Sequence, residues 1–260
     1  MPGTRSTRHF GLARALSKLG YCSRSQAGRL IRAGRVSVNG TPRRNSETPV
    51  LLGRDGIAVD GQLVGAREKV YLIMNKPRGI VTTASDEKGR NTVYTLLQYG
   101  KSGNVFGQKF EPWIAPVGRL DKASEGLLLL TNDSEWGARI SDPETHVEKT
   151  YHVQIATVAD DVLTHSLVRG VTMQDGELLR ARRASVLRSG QKNCWIEIVL
   201  DEGKNRQIRR MMESLNVEVM RLIRVAIGPL QLGDLAKGAS RRLTKNEKRQ
   251  LDRALGGQSA

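Results

Sequence analysis

Gly118-Arg-Leu-Asp121-Lys-Ala-Ser-Glu125-Gly126-Leu-Leu-Leu-Leu-Thr131-Asn-Asp133 is the stretch on which the reading of this chain turns. A lone carboxylate, Asp121, follows a Gly-Arg turn and stands a few residues ahead of four consecutive leucines, 127–130. A short, dense apolar run of this kind reads as a strand buried in a sheet. An acid at the lip of such a strand, with the Arg119 cation two residues away, can be kept ionised and used on a bound substrate. An ordinary turn aspartate ahead of a core strand explains the same pattern, so the rest of the chain has to decide.

Charge supplies the first context. The 260 residues hold 42 Lys+Arg against 26 Asp+Glu, a net charge of +16. Residues 1–67 carry 12 basic and 3 acidic side chains, residues 68–237 carry 24 and 21, and residues 238–260 carry 6 and 2. A nearly neutral middle between basic ends suggests a catalytic body with flanks that grip a polyanion. Nucleic acid is favoured over anionic lipid, because no amphipathic anchor or lipidation signal accompanies the charge. No apolar run approaches the length that spans a bilayer, and the basic N-terminus lacks the apolar core of a secretory signal. Cys22 and Cys194 are the only cysteines, far apart, and the four histidines are scattered. Neither a disulfide framework nor a metal site is expected, and the cytoplasm is the expected compartment.

Residues 1–10 read as a basic disordered tail. From there the pattern turns helical, with Leu12, Ala15, Leu16 and Leu19 at i, i+3, i+4 and i+7, and Gly20 as the stop. Ser23 and Gln26 form a capping box for a second helix through Ala33. That helix buries Ala27, Leu30 and Ile31, and it offers Arg24, Arg29 and Arg32 on its other face, with Arg35 just beyond. Val36 and Val38 alternate into Asn39-Gly40, a tight hairpin signal, and Ile57–Val59 leads into Asp60-Gly61 in the same way. The segment 16–40, Leu-Ser-Lys-Leu-Gly-Tyr-Cys-Ser-Arg-Ser-Gln-Ala-Gly-Arg-Leu-Ile-Arg-Ala-Gly-Arg-Val-Ser-Val-Asn-Gly, closely resembles the S4 (αL-type) RNA-binding domain. The resemblance implies that Arg24, Arg29, Arg32 and Arg35 contact the phosphates of structured RNA.

Past a short polar linker at 64–70, Tyr71–Asn75 reads as a strand closed by Lys76-Pro-Arg-Gly79, where proline ends the ladder. Residues 100–112 form a Gly-rich loop. Gly100-Lys101-Ser102 has the look of a phosphate loop, but position 95, where that loop needs glycine, is threonine, so no nucleotide cofactor is expected. Trp136–Ile140 and Asp160–Leu167 read as helices, Thr150–Ala156 and Trp195–Leu200 as strands, and Gly203–Asn216 as a basic helix. Val219–Val225 and Leu230–Leu232 are further strands. Strands and helices mix without regular βαβ alternation, which predicts an α+β fold with a mixed, largely antiparallel sheet flanked by helices.

Three clusters are candidates to converge on Asp121: its own turn with Arg119, Glu148-Lys-Thr-Tyr151, and Asn205-Arg206-Gln207-Ile208-Arg209-Arg210-Met211. On a helix, Arg206 and Arg209 would stand one turn apart. Spacing alone does not make them meet. The ordered segments Asn75–Gly79, Gly118–Asp133, Glu148–Tyr151 and Gly203–Met211 resemble the pseudouridine synthases. With an S4 domain in front, the chain is similar to the RsuA/RluB/RluE/RluF group of ribosomal RNA enzymes over about residues 12–244. The resemblance implies a small S4 domain at 11–66, a catalytic domain at 67–240 and a basic C-terminal tail at 241–260. It implies Asp121 as catalytic aspartate, Tyr151 as active-site tyrosine and Arg209 as the cation paired with Asp121. Leu222 would pack against the target base, and Lys76, Arg119 and Arg206 would hold RNA.

The implied reaction breaks the N1–C1′ bond of a uridine and rejoins the base through C5. No atom or electron is gained, so no cofactor is needed. Asp121 would attack C1′ or move a proton from C2′, Tyr151 would stack on the uracil, and the uridine would leave its stack to reach them. The implied partner is ribosomal RNA, 16S or 23S, free or in an assembly particle, and a monomer without membrane association is expected. Two other readings compete: a non-catalytic S4-type RNA-binding or ribosome-assembly protein, and a nucleoside or glycoside hydrolase. Pure binding needs no carboxylate among phosphate-facing cations, and a hydrolase usually needs a second carboxylate, for which Glu125 is the candidate.

Overall fold

In the computed structural model, which describes residues 8–83, 89–98 and 113–256, local signals become local structure first. The Ser23 hydroxyl accepts from the Gln26 amide at 3.1 Å, and Gln26 Oε1 accepts from the Ser23 amide at 3.0 Å. This completed capping box starts the second helix where the sequence predicts it. Asn39 and Gly40, and again Asp60 and Gly61, take positive φ at both central turn positions. That backbone carries the twist that a two-residue hairpin needs.

The described chain divides into two compact units. The first comprises the described residues up to Tyr71, with 113–115 and Thr131–Ser134. Its elements are β1 (His9–Gly11), α1 (Leu12–Lys18), α2 (Arg24–Arg32), β2 (Val36–Val38), β3 (Thr41–Arg43), β4 (Pro49–Leu51), β5 (Ile57–Val59) and β6 (Gln62–Leu63). Strands order as β3-β2-β5-β6 in one small sheet, and β1 pairs β4. Leu12, Leu16, Ile31, Val36, Val50 and Ile57 share its core.

The expected disordered tail at 1–10 is corrected at its end. His9–Gly11 pairs antiparallel with Pro49–Leu51, and Phe10 is buried. An aromatic ring is worth ordering the strand for, and Arg14 and Lys18 lie 5.7 and 4.7 Å from its centroid. Residues 1–7 and the Gly-rich stretch 100–112, with Gly100-Lys101-Ser102, lie outside the described residues.

The second unit contains β7 (Tyr71–Lys76), α3 (Val93–Gln98), β8 (Ala115–Val117), β9 (Glu125–Thr131), α4 (Ser134–Ser141), β10 (Lys149–Ile155) and α5 (Asp161–Arg169). It continues with β11 (Val171–Thr172), β12 (Leu178–Leu179), β13 (Arg183–Ser189), β14 (Cys194–Leu200) and α6 (Gln207–Ser214). It closes with β15 (Val219–Ile227), β16 (Leu230–Gln231), β17 (Ser240–Arg242) and α7 (Lys245–Gly256). The main sheet runs β13-β14-β10-β15-β9-β7-β17, with β16 on β15 and β8 on β9. β15 and β9 pair in parallel, whereas the β13/β14, β14/β10, β10/β15 and β7/β17 registers are antiparallel, as the mixed α+β expectation has it. All seven residues of β9 are buried, because a strand covered on both faces tolerates a continuous apolar run.

The expected basic tail at 241–260 is corrected over residues 241–256, and 257–260 lie outside the described residues. Ser240–Arg242 adds β17 to the edge of β7, and α7 follows. Thr244 and Glu247 exchange the two bonds of a capping box at its start. Leu251 is fully buried, and Asp252 accepts from Trp136 Nε1 at 2.9 Å. A single apolar residue on a charged helix suffices when it is fully buried, as Leu251 is near the Gly228 turn. The basic helix expected over 203–216 is also shorter, beginning at Gln207.

Candidate active site

Asp121 sits on a turn whose backbone is held from four directions. The Leu120 carbonyl accepts from Thr82 Oγ1 at 2.8 Å and the Lys122 carbonyl from the Gly79 amide at 2.7 Å. Lys76 Nζ donates to the Asp121 carbonyl at 3.0 Å and the Ser124 carbonyl at 2.8 Å, while Arg209 Nη2 reaches the Ala123 carbonyl at 3.1 Å. Five successive carbonyls are thereby satisfied, and a turn with its peptide dipoles spoken for has little freedom to swing its carboxylate.

Lys76 is therefore corrected as an RNA contact. It is fully buried, with a third bond to the Pro77 carbonyl at 3.2 Å, so its ammonium faces the protein rather than solvent. Desolvation pulls its pKa down to about 8, against the opposing pull of the Asp121 and Glu125 charges. The family resemblance alone had implied an RNA contact there. Lys76 is the last residue of β7 and shares the inward alternation of Leu72 and Met74, both buried.

The expected pairing of Asp121 with Arg209 is corrected as well. The direct ion pair comes from Arg206, whose Nη1 lies 3.6 Å from Asp121 Oδ2. Arg206 is the N-cap of α6 rather than part of it, with φ 49° and ψ 29° in the left-handed region. A non-glycine residue held there stores strain, a frequent companion of functional sites. Arg209 lies in the first turn of α6, half-buried, and donates to the Ala123 and Val219 carbonyls at 3.1 and 3.5 Å. Desolvation and then the Arg206 charge lower its pKa, with Asp121 acting in the opposite direction. Arg209 thus braces the turn and adds field, while Arg206 touches the carboxylate.

A cavity of about 370 Å³, within the range of small-ligand sites, opens beside this turn. Asp121, Tyr151, Arg209, Arg119, Arg206 and Leu222 all line it, so six expected site residues from four separate segments meet around one cavity. Arg119, Lys149, Lys204, Arg206, Arg209 and Arg224 are its cations, and among the described residues Asp121 is its only carboxylate. Tyr151 and Arg224 are cross-strand partners on β10 and β15. A register shift between Thr150 and Tyr151 turns β15, so that Leu222, Arg224 and Ile227 all reach the cavity despite their uneven spacing. Lys149 and Arg224 were missed as site residues by sequence. The available signal was alternation, which puts Lys149 beside Tyr151 and Arg224 beside Leu222 on the same strand faces.

In the first unit, Arg24, Arg29 and Arg32 are exposed along α2. Arg35 is exposed too, but its guanidinium is committed to Asp60, with Nε 2.8 Å from Oδ1. The two charges offset each other. Asp60, in the Asp-Gly hairpin, is pulled below the ordinary carboxylate range mainly by that hydrogen bond.

Comparison with known proteins agrees with this geometry. Residues 70–214 match the family described as RNA pseudouridylate synthase, and residues 11–55 match the S4 domain. The chain is 35% identical over 245 residues to ribosomal large subunit pseudouridine synthase B of Bacillus subtilis (strain 168), covering 94% of this chain and 96% of that protein. It is 36% identical over 228 residues to the protein of the same name from Escherichia coli O6:H1, covering 85% and 74% of the two. A crystal structure of a pseudouridylate synthase superposes with a TM-score of 0.63 at 28% identity, covering 92% of this chain and 98% of that one. Sequence, fold and a single carboxylate set in a cationic cavity lead to one assignment: the chain belongs to the RNA pseudouridylate synthase family.

Proposed function

We propose that the chain isomerises a uridine of ribosomal RNA to pseudouridine in the cytoplasm, as a monomer, with Asp121 as its catalytic carboxylate. The observation that carries this reading is the cavity's charge pattern, one carboxylate among six cations. A site built only to hold phosphate gains nothing from a carboxylate, which repels it. A carboxylate anchored through its backbone and paired with Arg206 stands at the edge of a nucleoside-sized cavity. There it meets the ribose of an extruded nucleotide, either adding to C1′ or taking the C2′ proton.

Tyr151, half-buried in the cavity wall, offers its ring face to the detached base, with Leu222 packed nearby. Exposed cations at the mouth, Arg119, Lys204 and Arg206, face the phosphates flanking the extruded nucleotide. Extrusion costs a few kcal/mol of stacking, which phosphate contacts offset. Arg24, Arg29 and Arg32 of the S4 unit add affinity for structured RNA. Relatives named for the large ribosomal subunit support that subunit's RNA as the first substrate to test.

Carbodiimide mapping of pseudouridines in ribosomal RNA, from cells with and without this gene, tests the proposal. One position should lose its signal in the deletion strain and regain it with wild-type protein but not with Asp121→Asn. Asp121→Asn should fold and bind RNA as the wild type does. An unchanged map would sink the ribosomal assignment.

A further inference from the structure

Two cations in the cavity wall have no role in holding Asp121 or in meeting solvent. Lys149 and Arg224 are 8% and 5% exposed, and both line the cavity. The Lys149 side chain makes no hydrogen bond or ion pair among the described residues. Arg224 donates through Nε to the Leu127 carbonyl at 2.8 Å, and its Nη2 is buried without a partner. The two cations are close enough to interact: burial lowers the Lys149 pKa first, and the Arg224 charge lowers it next. Asp201, the carboxylate that opposes this, also pairs with Arg182 at 3.5 Å. Two buried, under-partnered cations side by side are expensive, and a methionine and a leucine would fill the space at less cost. Such an arrangement makes sense if a negative charge arrives.

We infer that Lys149 and Arg224 form the subsite for the uracil ring and stabilise the negative charge it acquires when its bond to the ribose opens. This rests on the isomerase reading above. The strands supply the geometry. Lys149 and Tyr151 point the same way from β10, two residues and roughly 7 Å apart, and Arg224 is the cross-strand partner of Tyr151. A ring stacked on Tyr151 therefore has its edge among these cations.

The charge is the chemistry's own. When N1–C1′ breaks, its electron pair goes to the base and spreads over N1, O2 and O4. C1′ meanwhile becomes bonded to Asp121, or forms a glycal as the C2′ proton passes to Asp121. The base then turns, C5 bonds to C1′, and Asp121 is released or returns its proton. C5 loses its proton, and N1 takes one from solvent. Both routes pass through the same uracil anion, so the inference does not depend on choosing between them. A backbone phosphate is the competing ligand. It is charged throughout, however, and the exposed cations Arg119, Lys204 and Arg206 are placed for it, whereas this pair lies inside the wall.

The test is single-turnover cleavage of the target N-glycoside in saturating RNA carrying either uridine or 5-fluorouridine at the modified position. Fluorine withdraws electrons and stabilises the departing anion by itself. Lys149→Met should cleave the uridine substrate about 10²-fold more slowly, the usual cost of removing one charge-stabilising donor. Its deficit on 5-fluorouridine should be several-fold smaller, and Lys149→Arg should recover most of the rate. RNA affinity and its salt dependence should match the wild type, and Lys149→Gln serves equally if the methionine variant melts early. Equal deficits on both bases would overturn the inference. So would lower affinity with a salt slope reduced by about one, which marks a phosphate contact. Wild-type protein inactive on every ribosomal RNA would instead defeat the isomerase reading, whereas an active wild type with fully active Lys149 variants defeats only this one.

Discussion

Gly126 lies directly against the backbone of Arg224: a Cβ placed at 126 would stand 2.8 Å from the Arg224 amide nitrogen and closer still to its carbonyl oxygen. The two residues are paired in the parallel β9/β15 register, and Gly126 has φ +102°, a conformation that side chains rarely adopt. This close approach ties the strand behind Asp121 to the strand that carries Leu222 and Arg224. Gly126→Ala combines backbone strain with overpacking, for a loss of roughly 2–5 kcal/mol. Urea denaturation should show it, and the folded fraction should still turn over slowly, because the Asp121 turn and Arg224 are displaced together.

Arg206 and Arg209 should separate in opposite ways. The Arg206–Asp121 pair is partly exposed and contributes at most about 1 kcal/mol to stability. Arg206→Gly relieves the left-handed strain, so it should melt at or above the wild-type temperature while pseudouridine formation falls. Arg209→Ala leaves the Ala123 and Val219 carbonyls without this donor, and should lose roughly 1–3 kcal/mol as well as activity. Thermal melts alongside single-turnover rates distinguish them. Equal melting losses would mean that Arg206 is structural.

Lys76 should set an alkaline limit. With its pKa drawn down to about 8 from 10.5, it loses its proton in the folded protein well before the unfolded chain does. Through that window the unfolded chain binds more protons, so this group's contribution to stability rises with pH. Function moves the other way. The ammonium has three donors for the Pro77, Asp121 and Ser124 carbonyls, while the neutral amine has two. Turnover should therefore decline above about pH 8, and Lys76→Met should start from a lower plateau without that decline. A wild-type profile flat to pH 9 would remove Lys76 from this role.

Arg24→Ala, Arg29→Ala and Arg32→Ala should each weaken RNA binding and lower the salt slope by about one, the signature of a lost phosphate contact. Arg35→Ala should change that slope least, because Asp60 already holds its guanidinium. Affinity titrations at several salt concentrations decide between them. An Arg35 effect as large as the others would mean that RNA displaces Asp60.

Much of the fold was legible because its signals are contiguous. The Ser23/Gln26 box, the Asn39-Gly40 and Asp60-Gly61 turns and the four leucines each specify backbone geometry within a few residues. The C-terminal helix escaped the sequence reading: Thr244 and Glu247 spell the same capping box, but one buried leucine on a charged helix leaves no apolar stripe to notice. β13 escaped for a related reason, since most of its residues are exposed and show no alternation.

Local sequence, then, determined most of the element types, and its motifs carried the resemblance that implied an S4 front end and named Asp121, Tyr151, Arg119 and Leu222. Tertiary structure alone decided that Lys76 turns inward to hold a turn 45 residues away, that Arg206 rather than Arg209 touches the carboxylate, and that Lys149 and Arg224 stand under-partnered in the cavity wall. Periodicity and capping act over one or two turns of chain, where sequence neighbours are spatial neighbours. Which cation meets which oxygen depends on strand order, a β-bulge and one glycine's close approach, and these exist only once the sheet has closed.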